Sequence, residues 1–152
     1  MKTELRYGII GAGSMGREHI ENIKVMGGAA VTAISDPHMP SQEAALAMAP
    51  GAKVFSDHRA LLESGLVDAV VIATPNDTHA AVLKDVLESD LAVFVEKPLA
   101  TTVEDLKSIL AWDEKRNAMT WMGLEYRFMP PVAEAIERAK EGEPGKIHQV
   151  SI

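Results

Sequence analysis

The chain has 152 residues, no cysteine and a formal net charge of −7, which excludes disulfides, thiolate metal sites and a cysteine nucleophile. No basic stripe is available to neutralise nucleic-acid phosphates, so the charge argues against a nucleic-acid partner. Apolar residues at 47% and charged residues at 24% describe an ordinary globular chain, long enough for one domain with a real core.

In chain order, the apolar run Leu5 to Ile10 predicts a buried strand that ends in Gly11-Ala12-Gly13-Ser14-Met15-Gly16. This G-x-G-x-x-G assigns each glycine a different task. Gly11 allows a sharp turn off the strand, Gly13 lets the backbone approach a pyrophosphate, and Gly16 lets the next helix pack closely on the sheet. That helix carries Ile20 and Ile23 on one face and aims its free N–H groups at the phosphates. A second apolar run, Ala29 to Ile34, ends in Ser35-Asp36. Asp36 lies 20 residues past Gly16, near the spacing of an acid that binds the adenosine ribose. The plainer alternative makes Asp36 a turn residue before Pro37.

A helix is expected over Pro40 to Met48, stopped by Pro50-Gly51, and then a short strand over Lys53 to Phe55. Asp57 is a candidate N-cap for a short helix carrying Leu61 and Leu62, with Gly65 at its end. Asp68 to Ala73 reads as a central strand leading into Thr74-Pro75-Asn76-Asp77-Thr78-His79. Asn76 or Asp77 is expected either to cap the following helix or to meet a ligand. That helix presents Val82, Leu83, Val86 and Leu87 on one face. Leu91 to Val95 is the fifth strand, followed by Glu96-Lys97-Pro98. Thr102 with Asp105 resembles a capping box, opening a helix expected to bury Val103, Leu106, Ile109 and Leu110. Met119 to Leu124 is the sixth strand. A last helix is expected to turn Val132, Ile136 and Ala139 inward. Gly142-Glu143-Pro144-Gly145 is a turn, and Lys146 to Ile152 reads as the start of a further strand.

Strands alternating with helical crossovers predict an α/β, doubly wound, mostly parallel sheet, with ligands at the carboxyl ends of its strands. The glycine turn, Asp36, residues 74–79 and residues 96–98 all fall just past strand ends. His38, His58 and His148 have no partner at ligand spacing in the sequence, so no metal site is expected. His19 reads as a packing residue, Arg127 as a partner for a carboxylate in preference to a substrate or cofactor contact, and Trp112 and Trp121 as core or domain-contact residues. No apolar run reaches bilayer length and the N-terminus has no signal-peptide core, so the expected location is the cytoplasm.

Four motifs together resemble the glucose–fructose oxidoreductase, inositol dehydrogenase and MocA family: Gly11 to Gly16 with His19, Ala73-Thr74-Pro75-Asn76 with His79, Val95-Glu96-Lys97-Pro98-Leu99, and Arg127-Phe128 with Pro130. The resemblance implies a Rossmann domain over residues 1–141. Residues 142–152 would then be a turn and the start of a truncated α+β substrate and oligomerisation domain. It implies an NAD-dependent oxidoreductase acting on a sugar, cyclitol or related alcohol or carbonyl. The cofactor-binding residues would be Gly11, Gly13, Ser14, Met15, Gly16, Asp36, Thr74, Pro75, Asn76, His79, Glu96 and Lys97. Lys97 would also be the catalytic group, since an ammonium beside the reacting oxygen stabilises developing negative charge and relays the proton. The bland alternative is a surface lysine paired with Glu96. His79 either touches cofactor or supports the helix start. A carboxylate at position 36 repels a 2′-phosphate, so NAD is expected over NADP. A stand-alone dinucleotide-binding or sensing module is the competing function, and another adenine ligand such as S-adenosylmethionine is a third.

Overall fold

The computed structural model describes residues 4–149. The strands are β1 (Leu5–Ile10), β2 (Ala29–Ser35), β3 (Lys53–Phe55), β4 (Ala69–Ile72), β5 (Ala92–Val95) and β6 (Thr120–Met122). The helices are α1 (Ser14–Val25), α2 (Met39–Met48), α3 (His58–Leu62), α4 (His79–Leu87), α5 (Val103–Asp113) and α6 (Pro130–Lys140). All strands pair in parallel, in the order β3-β2-β1-β4-β5-β6. The order reverses between β1 and β4, the switch point where a crevice opens at the carboxyl ends of a doubly wound sheet.

The strands read as nearly continuous apolar runs because both faces of the sheet are used. Ile9, Val71 and Phe94 face the layer containing Ile20, Ile23 and Ala45. Ile10, Val70, Ile72, Val93 and Val95 face the opposite layer, with Leu61, Leu83, Val86 and Ile109. The two layers lock the ends of β1, β4 and β5 in one plane, and that plane positions the site.

Local signals in the sequence account for most helix starts. The Asp57 carboxylate accepts the Arg59 N–H at 2.7 Å. The Thr102 hydroxyl oxygen accepts the Asp105 N–H at 3.0 Å, and the same hydroxyl donates to the Asp105 carboxylate at 2.6 Å. Asp is one methylene shorter than the Glu of a full capping box, and its carboxylate bonds the hydroxyl of the cap residue. Neither Asn76 nor Asp77 caps α4 through its side chain; the two sit in a 3₁₀ turn over Asn76–Thr78.

Two apolar faces differ from expectation. In α5 only Ile109 is buried, while Val103 is 69% and Leu110 51% exposed. The sheet beneath α5 ends at the three-residue edge strand β6, so only a narrow line of the helix meets core. In α6 no residue is buried, and Val132 and Ile136 are each 38% exposed. Among the described residues α6 packs mainly beside the turn over Glu125–Phe128, which offers too little surface to cover its apolar stripe. The turn at residues 142–145 is present, with positive φ at Gly142 and Gly145. Residues 146–149 form no strand, and residues 150–152 of the expected strand lie outside the described residues. No described helix is long and apolar enough to cross a membrane.

Arg6 fastens the amino end of β1 to the residue before β4. Its guanidinium donates to Asp68 at 2.7 and 3.1 Å, and its backbone N–H donates to the same carboxylate at 2.9 Å. These bonds hold the Asp68 carboxyl down at about 2. A depressed folded-state value adds stability that is complete above the ordinary carboxylate range of about 4. That increment fades as pH falls toward 2. Thermal unfolding of Asp68→Asn between pH 2 and 5 is expected to show a shallower acid dependence than the parent. Both groups are well exposed, so the effect is small.

Candidate functional site

Two glycines of the turn perform separate steric tasks. Gly11 has φ +91°, and a Cβ there would lie 2.6 Å from the Ala73 carbonyl oxygen. It must therefore be bare both to turn and to let the turn touch the end of β4. At Gly16 a Cβ would come within 1.9 Å of the Gly11 carbonyl oxygen, so α1 can sit against the turn only without a side chain. A Cβ at Gly13, in contrast, would meet nothing within 4 Å. This open space lies at the start of α1, where no side chain caps the helix and no acid occupies the first turn. The N–H groups of the first turn and the helix dipole are thus presented to an anion.

Asp36 is wired into this turn. One carboxylate oxygen accepts the Ala12 N–H at 2.7 Å, and the other accepts the His38 N–H at 2.8 Å. Each oxygen has a second lone pair, so the carboxylate keeps acceptor capacity for ribose hydroxyls while it braces the loop. The turn-residue alternative and the ribose alternative are therefore compatible in one side chain. Arg17 also folds back, donating from its guanidinium to the Ala12 carbonyl oxygen at 2.8 Å. That places a permanent cation beside the cradle, a feature sequence reading missed.

Past β4, Thr74 is half-buried and Pro75 and Asn76 are exposed at the crevice. The Thr78 hydroxyl lies 2.8 Å from the Thr74 hydroxyl and 2.7 Å from the Pro75 carbonyl oxygen, tightening the 74–78 loop. His79 is fully buried. Its Nδ1 lies 2.7 Å from the Pro98 carbonyl oxygen and its Nε2 lies 2.9 Å from the Thr74 carbonyl oxygen. Of the two expectations for His79, the geometry serves support of the helix start and adjoining loops.

Past β5, Glu96 is buried and accepts from Nε2 of His19 at 2.8 Å, while the His19 ring meets Phe94 edge-to-face at 5.0 Å. Expectation made His19 a packing residue and offered Glu96 as a partner for Lys97. The pair actually formed is His19–Glu96, across 77 residues of sequence. The signal was present: His19 shares the sheet-facing stripe of Gly16, Ile20 and Ile23, and a polar group there needs a partner. Lys97 stands exposed at the carboxyl end of β5. Among the described residues it enters no ion pair.

The other expected residues fall away from this group. Arg127 is exposed on the Glu125–Phe128 turn. Trp112 packs beside the core under Lys84, and Trp121 is half-exposed. His58 bonds Asp85 at 2.7 Å, where Arg59 also binds at 2.9 Å. Burial pushes the Asp85 carboxyl up, but bonds from His58 and Arg59 outweigh it and hold the group below its ordinary value. No three His, Asp or Glu side chains converge among the described residues. A cavity of about 530 Å³ opens over the α1-side face of β4 to β6. It meets the site only through Met15, His19 and Glu96.

The glycine turn, the acid after β2 and the Glu-Lys-Pro after β5 thus all lie past the carboxyl ends of parallel strands in one sheet. The model of the oxidoreductase family with an NAD-binding Rossmann fold, comprising glucose–fructose oxidoreductase, inositol dehydrogenase and MocA, matches residues 5–124. This chain belongs to that family. An inositol 2-dehydrogenase of Paenarthrobacter aurescens is 36% identical over 97% of this chain, which spans 46% of that relative's length. The myo-inositol dehydrogenase of Lactobacillus casei, solved with NAD(H) and myo-inositol, is 33% identical with TM-score 0.86, over 91% of this chain and 42% of that one. A Bordetella pertussis dehydrogenase solved with NADH and UDP-GlcNAcA is 28% identical with TM-score 0.91, over 97% and 43%. The region in hand is the family's NAD-binding Rossmann domain.

Proposed function

We propose that this chain is the cofactor-holding part of a cytoplasmic NAD-dependent oxidoreductase acting on a polyol, sugar or related alcohol or carbonyl. In this reading residues 1–141 hold the coenzyme. Residues 142–152 lead into a domain that supplies the substrate pocket and contacts between subunits. The carrying observation is the bare cradle at Gly13, braced by a carboxylate that retains acceptor capacity, at the same sheet end as a lysine that enters no ion pair among the described residues.

The residues present fit a dinucleotide. The N–H groups of Ser14, Met15 and Gly16 bind pyrophosphate oxygens, and Arg17 adds positive charge. Asp36 accepts from the ribose hydroxyls and disfavours a 2′-phosphate. Thr74, Pro75 and Asn76 form the wall leading toward Glu96 and Lys97. NAD, when bound, supplies the hydride acceptor. Lys97 Nζ donates to the substrate oxygen, stabilises its charge as the C–O bond becomes a carbonyl, and relays its proton.

Asp36→Ala is expected to weaken NAD about 10- to 100-fold, the worth of one or two bonds to a charged acceptor. Discrimination against NADP should relax in parallel. Calorimetric NAD affinity equal to the parent's in Asp36→Ala contradicts the assignment. Lys97→Ala is expected to leave NAD affinity within about twofold, as for a group acting only on the reacting substrate. In the full-length enzyme the same change should abolish turnover. Dehydrogenase assays showing undiminished kcat would remove Lys97 from the mechanism.

A further inference from the structure

We infer that His19 and His79 are positioning residues that clamp the Glu96-Lys97-Pro98 segment from opposite faces of the sheet and thereby fix where Lys97 stands. The inference rests on the reading of Lys97 as the group at the reacting end of the coenzyme.

The two rings belong to different layers. His19 projects from α1 and donates to the Glu96 carboxylate at 2.8 Å. His79 opens α4 on the other face, with its Nδ1 2.7 Å from the Pro98 carbonyl oxygen. The residues immediately before and after Lys97 thus each meet one histidine. Lys97 itself remains exposed and outside the ion pairs of the described residues. A long flexible side chain loses least in placement when its backbone is held on both sides.

Both anchors are themselves built in. The His19 ring rests edge-on against Phe94. Gly123 closes over the same corner, since a Cβ there would lie 2.9 Å from the Phe94 ring and 3.4 Å from a Glu96 oxygen. His79 is buried, and its Nε2 is 2.9 Å from the Thr74 carbonyl oxygen. Carbonyl oxygens only accept and a neutral imidazole carries one N–H, so the ring donates to one of these two carbonyls and packs against the other. The His79 ring therefore spans the loop after β4 and the loop after β5. It ties the wall beside the coenzyme to the segment carrying Lys97. His19 lies one turn and a half beyond the phosphate-binding N-terminus of α1, so the other anchor refers Lys97 to the pyrophosphate site.

The test uses the 152-residue chain labelled with ¹³C-lysine, saturated with NAD. The readout is the nuclear Overhauser effect between the Lys97 ε-methylene and the nicotinamide H4. ADP-ribose, which lacks the nicotinamide, is titrated alongside. The parent is expected to show the effect. His19→Ala should lose it while keeping ADP-ribose affinity within about twofold, as expected for a distant subsite. His19→Gln, which retains a donor for Glu96, should restore it. His79→Leu, which fills the space but donates to neither carbonyl, should also weaken it. His19 is partly exposed, so its variants carry the test even where a change at the buried His79 prevents folding. A full-strength effect in His19→Ala overturns the clamp and leaves the functional reading intact. A parent that binds ADP-ribose without any Lys97 effect on NAD overturns the clamp together with the placing of Lys97. A parent that binds neither ligand overturns the functional reading itself.

Discussion

Gly16→Ala is expected to be the most destabilising single-methyl change in the chain. The added Cβ would lie 1.9 Å from the Gly11 carbonyl oxygen and 3.3 Å from Ile9 Cγ2. The first neighbour is backbone, in a turn that is itself pressed on the end of β4 by Gly11. Relief therefore requires α1 to move off the sheet, withdrawing Ile20 and Ile23 from the core that contains Ile9 and Ile34. Overpacking costs about 1–3 kcal/mol and sometimes more, and here the upper end applies because no flexible side chain can yield. For a domain of this size about 3 kcal/mol lowers Tm by roughly 6–12 °C. Thermal unfolding followed by circular dichroism checks this directly. A Gly16→Ala chain that melts within a degree of the parent would mean that the helix does not seat on the turn.

Gly13→Ala is expected to do the opposite: little to the fold, much to coenzyme binding. Gly13 has φ −66°, which alanine adopts without strain, and its Cβ would meet nothing in the protein. Exchanging glycine for alanine at an N-cap costs about 0.5–1 kcal/mol. The methyl would instead stand in the space a pyrophosphate needs to reach the N–H groups of α1. A steric conflict of about 1–3 kcal/mol there lowers NAD affinity about 10- to 100-fold. The two glycines form an internal control: same residue, same motif, opposite partition between stability and binding. Normal NAD affinity in Gly13→Ala would show that the coenzyme does not lie along this backbone.

Much of this was legible in the amino-acid sequence because it depends on local rules. The buried runs Leu5–Ile10, Ala29–Ile34 and Leu91–Val95 give strands almost at their expected limits. Asp57 and Thr102 cap helices where their side chains predict it. The steric tasks of Gly11 and Gly16 follow from one spacing. The less legible features are long-range. The sequence spacing of His19 and Glu96 does not pair them, nor that of His79 and Pro98; only the sheet order brings β5 beside β4 and under α1. A polar residue in a sheet-facing stripe hinted at His19 but not at its partner. The amphipathic patterns of α5 and α6 were readable as stripes, yet a stripe does not specify its cover. Leu110 and Ile136 stay exposed because the described part of the chain places no layer over them. Asp36 shows a different difficulty. The turn bracing seen at Asp36 and the ribose binding proposed for it call on the same carboxylate, so a sequence signal for one is also a signal for the other.

The most direct test is an NAD titration of the ¹⁵N-labelled chain followed by NMR. The account predicts saturable shifts at the amides of Ala12 to Gly16, at Asp36, at Thr74 and Asn76, and at Glu96 and Lys97. The exposed amides of α6 should stay unmoved. Shifts centred elsewhere, or none at millimolar NAD, would contradict it.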